Sequence, residues 1–217
     1  MHRGFISTAA RPILLTTTDI RTPKARQISQ NAKVELAWWF AGAQEQYRIK
    51  GKAWILPSRE AGGLDQAGSD VRDNAYSDSA KAVIQATARE LLKTFPAERL
   101  SGTDGNFDWE KKRQEVFENI GAHMRATWAR PVPGSKLEGG YEEAKKWPEK
   151  LRNLSEIAEG EDGEERKEVL YALKNFALVV IEPEEVDRVE LGVVPNQRMV
   201  YRYQGAEGEW VEEAVVP

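Results

Sequence analysis

Two β-rich runs placed back to back limit most strongly how this chain can fold. Lys33-Val34-Glu35-Leu36-Ala37-Trp38-Trp39-Phe40 alternates at first and then turns wholly apolar, the pattern of a strand covered on both faces. After the turn-sized Ala41-Gly42-Ala43-Gln44-Glu45, residues Gln46 to Leu56 form a second long run, in which Gly51 is placed for a bulge. So short a connection predicts an antiparallel hairpin. Pro12 to Thr18 reads as an earlier strand, and strands return late in the chain at Phe176–Ile181, Val186–Leu191, Met199–Tyr203 and Glu209–Val216.

Between these β regions the pattern changes to helical spacing. A short helix is expected over Ala25–Asn31. The Gly-, Asp- and Ser-rich stretch from Pro57 to Tyr76 reads as a long loop. Val83, Ile84, Ala88, Leu91, Leu92 and Phe95 then recur at helical intervals, with Ser77 or Asp78 as cap and Pro96 as stop. A second helix is expected from near Asp108, with Val116, Phe117, Ile120, Met124 and Trp128 on one core-facing stripe, ended by Pro131 and Pro133. The acidic run Glu159 to Glu165 reads as a solvated loop. Strands at both ends with helices between them predict a mainly β, α+β fold: an antiparallel barrel carrying a helical pair, built as a single domain over residues 1–217.

Composition removes several chemistries. Cysteine is absent and only His2 and His123 are present, which excludes thiol nucleophiles, disulfides and cysteine zinc sites and leaves little for a hydrolytic triad. No metal site and no catalytic residue is read from the sequence; a borrowed cofactor is the expected reagent. With 31 Lys and Arg against 35 Asp and Glu, the net charge of −4 supplies no global field for nucleic acid or an anionic membrane. An oligonucleotide-binding barrel, prompted by Tyr201-Arg202-Tyr203, is weakened by that balance. No apolar run approaches the roughly 20 residues of a membrane helix. The absence of cysteine and of a signal-like N-terminus leads to an expectation of a cytoplasmic protein.

One polar break carries a ligand hypothesis. In Thr17-Thr18-Asp19-Ile20-Arg21-Thr22-Pro23-Lys24, Arg21 offers a planar fork of donors, Lys24 a mobile charge and Thr22 a hydroxyl. A helix starting near Pro23 would aim its positive end at the same spot, which makes a phosphate pocket; a plainly solvated turn is the alternative. Gln46, at the head of the second hairpin strand, carries a carboxamide that suits the edge of a heteroaromatic ring, or else caps the strand.

These pieces, in this order, resemble the pyridoxamine 5′-phosphate oxidase-like flavin-binding proteins with their split β-barrel. The likeness runs from Arg3-Gly4-Phe5 through Thr17–Lys24 and Trp38-Trp39-Phe40 to Gln46–Gly51. It resumes at Arg125–Gly134, Asn175–Leu178 and Val189–Leu191, and ends near Arg198 to Tyr203. Segments of about 57–106 and 139–174 fall outside it and read as insertions. The resemblance implies that Arg21, Thr22 and Lys24 hold the phosphate of FMN, with Thr17 and Thr18 on the strand beside it. Gln46 and Arg198 would approach the isoalloxazine ring, and Arg3 stands where the family often has a lysine facing substrate and flavin. It also implies a homodimer with flavin at its interface, so that Gln46 or Arg198 can serve the partner's cofactor, and Trp38, Trp39 and Trp54 are core or interface residues.

The implied activity is that of a flavin-dependent oxidoreductase acting on a small molecule the sequence does not name; a flavin-binding or carrier protein of the same fold is the alternative. Three departures bear on the choice. The family's phosphate-contacting arginine ahead of Arg3 is absent from this sequence, and Pro23 stands where the oxidase proper has another arginine. Of the Arg-x-His-x-Arg segment that grips a phosphorylated vitamin, Val194-Pro195-Asn196-Gln197-Arg198 keeps only the last arginine. FMN binding is therefore better supported than oxidation of pyridoxamine phosphate.

Overall fold

The computed structural model describes residues 2–7, 12–59, 78–96, 100, 107–157, 163–204 and 208–217. Among them, seven strands form one antiparallel sheet: β1 (Gly4–Ser7), β2 (Pro12–Asp19), β3 (Lys33–Phe40), β4 (Glu45–Leu56), β5 (Phe176–Glu190), β6 (Gln197–Gln204) and β7 (Glu209–Ala214). Six α-helices accompany it: α1 (Pro23–Gln30), α2 (Asp78–Thr94), α3 (Trp109–Glu118), α4 (Ala122–Thr127), α5 (Gly140–Ala144) and α6 (Glu164–Asn175). The α+β split barrel expected from the sequence is borne out.

β5 organises the sheet. Its first half lies between β2 and β4, and its second half between β4 and β6, so the order β1-β2-β5-β4-β3 branches to β6 and β7. The sequence reading divided this element into two strands, and the structure corrects it to one. Lys50 pairs with Glu185 while Gly51 pairs with Pro183, which leaves Glu184 as an extra residue. Such a bulge shifts the side-chain phase by one, and Pro183 is tolerated because the ladder is already interrupted there. On the β4 side, Gly51 meets the Glu182 carbonyl so closely that no Cβ fits.

Each face of the sheet buries one core. On one face Leu15, Trp54, Leu56, Phe176, Leu178 and Val180 pack against Leu91, Phe117 and Val169 from the helices and Trp128 just past α4. On the other, Leu14, Ile49, Ala53, Ile55, Val179 and Ile181 are joined by Ile20 and Ile84. The expected helical pair is in fact a layer containing α2, α3, α4 and α6. The single helix expected after Asp108 is two, because the chain breaks at 119–121; Asp108 does cap α3 through Glu110 and Lys111 N–H groups, but Met124 lies outside the core, 38% exposed. The break is held by Arg125, which donates to the carbonyls of Glu118, Ile120 and Leu151. Residues Glu164 and Glu165 of the acidic run open α6, not a loop; 158–162 and most of the expected loop at 57–76 lie outside the described residues.

β3 also departs from expectation. It pairs only with β4, and Trp39 and Phe40 are about half exposed, so its apolar end is not covered on both faces within one chain.

Candidate functional site

The β2–α1 turn is built around Asp19. Its carboxylate accepts the Arg21 N–H at 2.8 Å, and its carbonyl accepts the Thr22 N–H at 3.1 Å and the Thr22 hydroxyl at 2.7 Å. An acid two residues ahead closes the turn in this way because a short side chain can reach forward to the backbone. Pro23 then opens α1, its missing N–H costing nothing at that position. Thr18 and Thr22 hydroxyls meet at 3.2 Å. Strand alternation places Thr17 and Thr18 on opposite faces of β2, so the two do not line one pocket together.

Arg21 is 7% exposed, and its guanidinium is fully engaged. Nε and Nη2 hold Asp19 at 3.0 and 2.7 Å; Nη2 also donates to the Trp128 carbonyl at 3.1 Å, and Nη1 to the Arg130 carbonyl and Tyr171 hydroxyl at 3.0 and 3.2 Å. A guanidinium has five N–H donors, and all five are taken. Burial works against the charge, but Asp19 and Tyr171 more than offset it, and the pKa is raised. The donors that the sequence reading offered to a phosphate are thus all given to protein acceptors here. Lys24, by contrast, is exposed on α1 with no ion pair to any described residue. Arg3 donates its backbone N–H to the Leu15 carbonyl at 2.7 Å; its Nε is buried without a partner, and burial lowers its pKa.

The ring-binding candidates are brought together elsewhere. Trp39 pairs with Gln46, Gln46 with Val189, and Val189 with Arg198, so these side chains form one row on one face. Trp39 is 54% exposed, and the Gln46 carboxamide bonds no described residue. Arg198 is held two-pronged by Asp187 at 2.9 and 2.8 Å, which leaves its Nη1 donors free. The Arg198 hydrogen bond outweighs burial and keeps the Asp187 carboxyl below its usual range. Beside this row a cavity of about 260 Å³ is lined by Arg188, Glu190, Asn196, Gln197, Arg198, Met199, Ala214 and Val215. Arg202, weighed for nucleic acid, is paired with Glu185 and Glu213.

The two groups lie far apart in one chain. Phe176, opposite Asp19, and Val189, opposite Gln46, are thirteen residues apart on β5, a path of about 40 Å along a strand. A larger cavity, about 990 Å³, lies in the loop after α4, lined by Thr127, Arg130 to Gly139, Glu143 and Trp147; it contains none of the expected site residues. Among the described residues no cluster of three or more His, Asp or Glu is placed to hold a metal ion.

Sequence reasoning missed Asp187, Tyr171 and the carbonyls of Trp128 and Arg130. Only the Asp19-x-Arg21 spacing gave a local sign of the first turn's ion pair.

The arrangement is that of a split barrel, and comparisons with known proteins agree on the fold. Residues 1–57, from β1 through the turn to the end of β4, match the model of the pyridoxamine 5′-phosphate oxidase FMN-binding domain. The structure is similar to a pyridoxamine 5′-phosphate oxidase-related, FMN-binding protein from Nostoc punctiforme PCC 73102, with TM-score 0.59 and 20% identity over 100% of this chain and 78% of that one. It is also similar to PhzG from Burkholderia lata 383, solved with tetrahydrophenazine-1-carboxylic acid, with TM-score 0.50 and 11% identity over 98% of this chain and 80% of that one. At such identities the structural likeness is one of fold. No curated protein matches the sequence. The resemblance read from the sequence therefore stands: the chain has the pyridoxamine 5′-phosphate oxidase-like fold and carries that family's FMN-domain signature over its first quarter. No helix among the described residues is long and apolar enough to cross a membrane.

Proposed function

We propose that this protein binds FMN between two copies of its chain, with the phosphate on the β2–α1 turn of one copy and the ring against the Trp39-Gln46-Arg198 row of the other. The observation that carries this reading is the placement of the two groups toward opposite ends of β5, a separation that a second chain would close by bringing its ring row to this phosphate turn. The residues fit such a ligand. Among the described residues Lys24, a cation at the start of α1, has no ion pair, the buried Arg3 Nε has no acceptor, and the Gln46 carboxamide has no partner. The half-exposed Trp39 and Phe40 on an edge strand, with Phe5 also exposed, supply the apolar surface a second copy would cover.

Bound FMN would supply redox chemistry of one or two electrons, and the protein's part is binding, orientation and exclusion of water. Lys24 would hold the phosphate oxygens, the Thr22 hydroxyl having given its one proton to the Asp19 carbonyl; Gln46 would donate to and accept from the ring edge, and Arg198 would offer its Nη1 donors. The whole makes a flavin-dependent oxidoreductase acting on a small molecule, in a single domain. A carrier without turnover is the second reading. It is favoured by the cavity beside Arg198, where Asn196 and Gln197 bring no charge to grip a phosphorylated substrate. An absorption spectrum with and without added FMN, run together with sedimentation, tests the binding: a flavin band at one FMN per chain in a dimer is expected. A colourless monomer that ignores FMN refutes it. Anaerobic bleaching by candidate donors separates enzyme from carrier.

A further inference from the structure

We propose that Arg21 is a positioning residue that sets the phosphate turn from behind without touching the phosphate, an inference that rests on the FMN reading above. Its guanidinium joins three parts of the chain: Asp19 in its own turn, the Trp128 and Arg130 carbonyls just past α4, and the Tyr171 hydroxyl on α6. The same join is made independently by others. The Ile20 N–H donates to the Asn175 carbonyl at 2.9 Å, Asn175 Nδ2 to the Trp128 carbonyl at 3.0 Å, and Trp128 Nε1 to the Thr18 carbonyl at 3.3 Å.

The charge arrangement also argues against direct contact. The Arg21 and Asp19 side chains are 3% and 9% exposed. A phosphate reaching Arg21 would have to displace one carboxylate while itself a dianion close to it. Only a planar fork can bridge acceptors on three elements; a lysine ammonium, a single point with three donors, cannot. Phosphate affinity is thereby tied to α4 and α6, which never meet the ligand. A turn that is correct only part of the time weakens apparent binding by that fraction.

The test measures FMN and riboflavin affinity by flavin fluorescence, and amide hydrogen exchange at residues 20–25 of the flavin-free protein, in the wild type and in Asp19→Ala, Tyr171→Phe, Arg21→Lys and Arg21→Met. Loss of the carboxylate acceptor predicts FMN binding weakened roughly tenfold or more in Asp19→Ala, and loss of the single uncharged hydroxyl acceptor roughly threefold in Tyr171→Phe. Arg21→Lys should be as weak as Arg21→Met, riboflavin affinity should hold, and exchange at Ile20, Thr22 and Ala25 should quicken in every variant. Direct contact predicts the opposite signs: Asp19→Ala frees the guanidinium and removes an anion, so FMN binds tighter, and Arg21→Lys keeps most of its affinity. Either result overturns the proposal, as does unchanged exchange in all variants. Tyr171→Phe, the mildest change, keeps the test open if Asp19→Ala does not fold. A wild type that ignores FMN sinks the cofactor reading alone, because the exchange rates still test the clasp.

Discussion

Gly51 offers the sharpest test of how the barrel is held together. It sits at the register shift between β4 and β5, the two central strands, where a Cβ would run into the Glu182 carbonyl and lie 3.0 Å from the Pro183 Cα. The obstacle is main chain, so no rotamer change relieves it. Gly51→Ala must spread the strands. Overpacking of this kind costs about 1–3 kcal/mol even where side chains can yield, and one lost ladder hydrogen bond adds about 1 kcal/mol. A total of about 3 kcal/mol is expected. For a chain of 217 residues each kcal/mol lowers the midpoint by about 2–4 °C, so the melting temperature should fall by about 6–12 °C. Thermal unfolding followed by circular dichroism, with urea titration to confirm an unchanged m-value, measures it. A variant melting within about 2 °C of the wild type, a cost of no more than about 1 kcal/mol, would show that the strands part freely and that the bulge is not the rigid joint described.

Three further outcomes are expected. Lys24→Met should weaken FMN binding roughly tenfold, the low end for a charge-assisted hydrogen bond because the site is exposed, while riboflavin, which lacks the phosphate, binds as before; equal losses for both ligands would place Lys24 away from the phosphate. Arg113→Met should cost about 3–5 kcal/mol in urea unfolding, because Arg113 is 1% exposed and its loss strands Glu110 and the carbonyls of Leu173 and Phe176; a near-neutral change would mean those acceptors find water. The depressed Asp187 carboxyl stabilises the fold fully above its unfolded pKa, near 3.8, and that stability is lost as pH falls through the lower folded value. Asp187→Asn should therefore narrow the acid loss of stability below about pH 4, and identical acid curves for the two proteins would contradict the pairing with Arg198.

Where a strand keeps its period of two, the sequence showed it. Lys33–Phe40, the hairpin turn and the Gly51 bulge all stand where the alternation places them. β5 was read as two strands because Ala177, Val179 and Ile181 face one core on odd positions, while Val186 faces it on an even one, with the extra Glu184 between. α6 escaped notice for a different reason. Its buried face is little more than Val169, Ala172 and Asn175, too sparse among charges to display a helical period. The exposure of Trp39 and Phe40 was also hidden, since an apolar strand end covered by its own chain and one awaiting another chain look the same in sequence.

The site divides along another line. Residue type and spacing identified Arg21, Lys24 and Gln46 as groups suited to a phosphorylated ring, and the family resemblance added Arg198, but binding depends on which donors the fold leaves free. Arg21 meets acceptors 107 to 150 residues away, which no local pattern announces. Burial then decides the outcome, because a guanidinium at 7% exposure must satisfy its donors within the protein or forfeit its charge stabilisation. Lys24 and Gln46, nearer the solvent, are under no such demand and retain their capacity for a ligand. Within one motif the buried cation builds the turn and the exposed one faces outward. A phosphate site of this construction draws its geometry from the helical layer and its charge from the surface, so substitutions at Tyr171 or Asn175 should alter affinity without altering the charge that FMN meets.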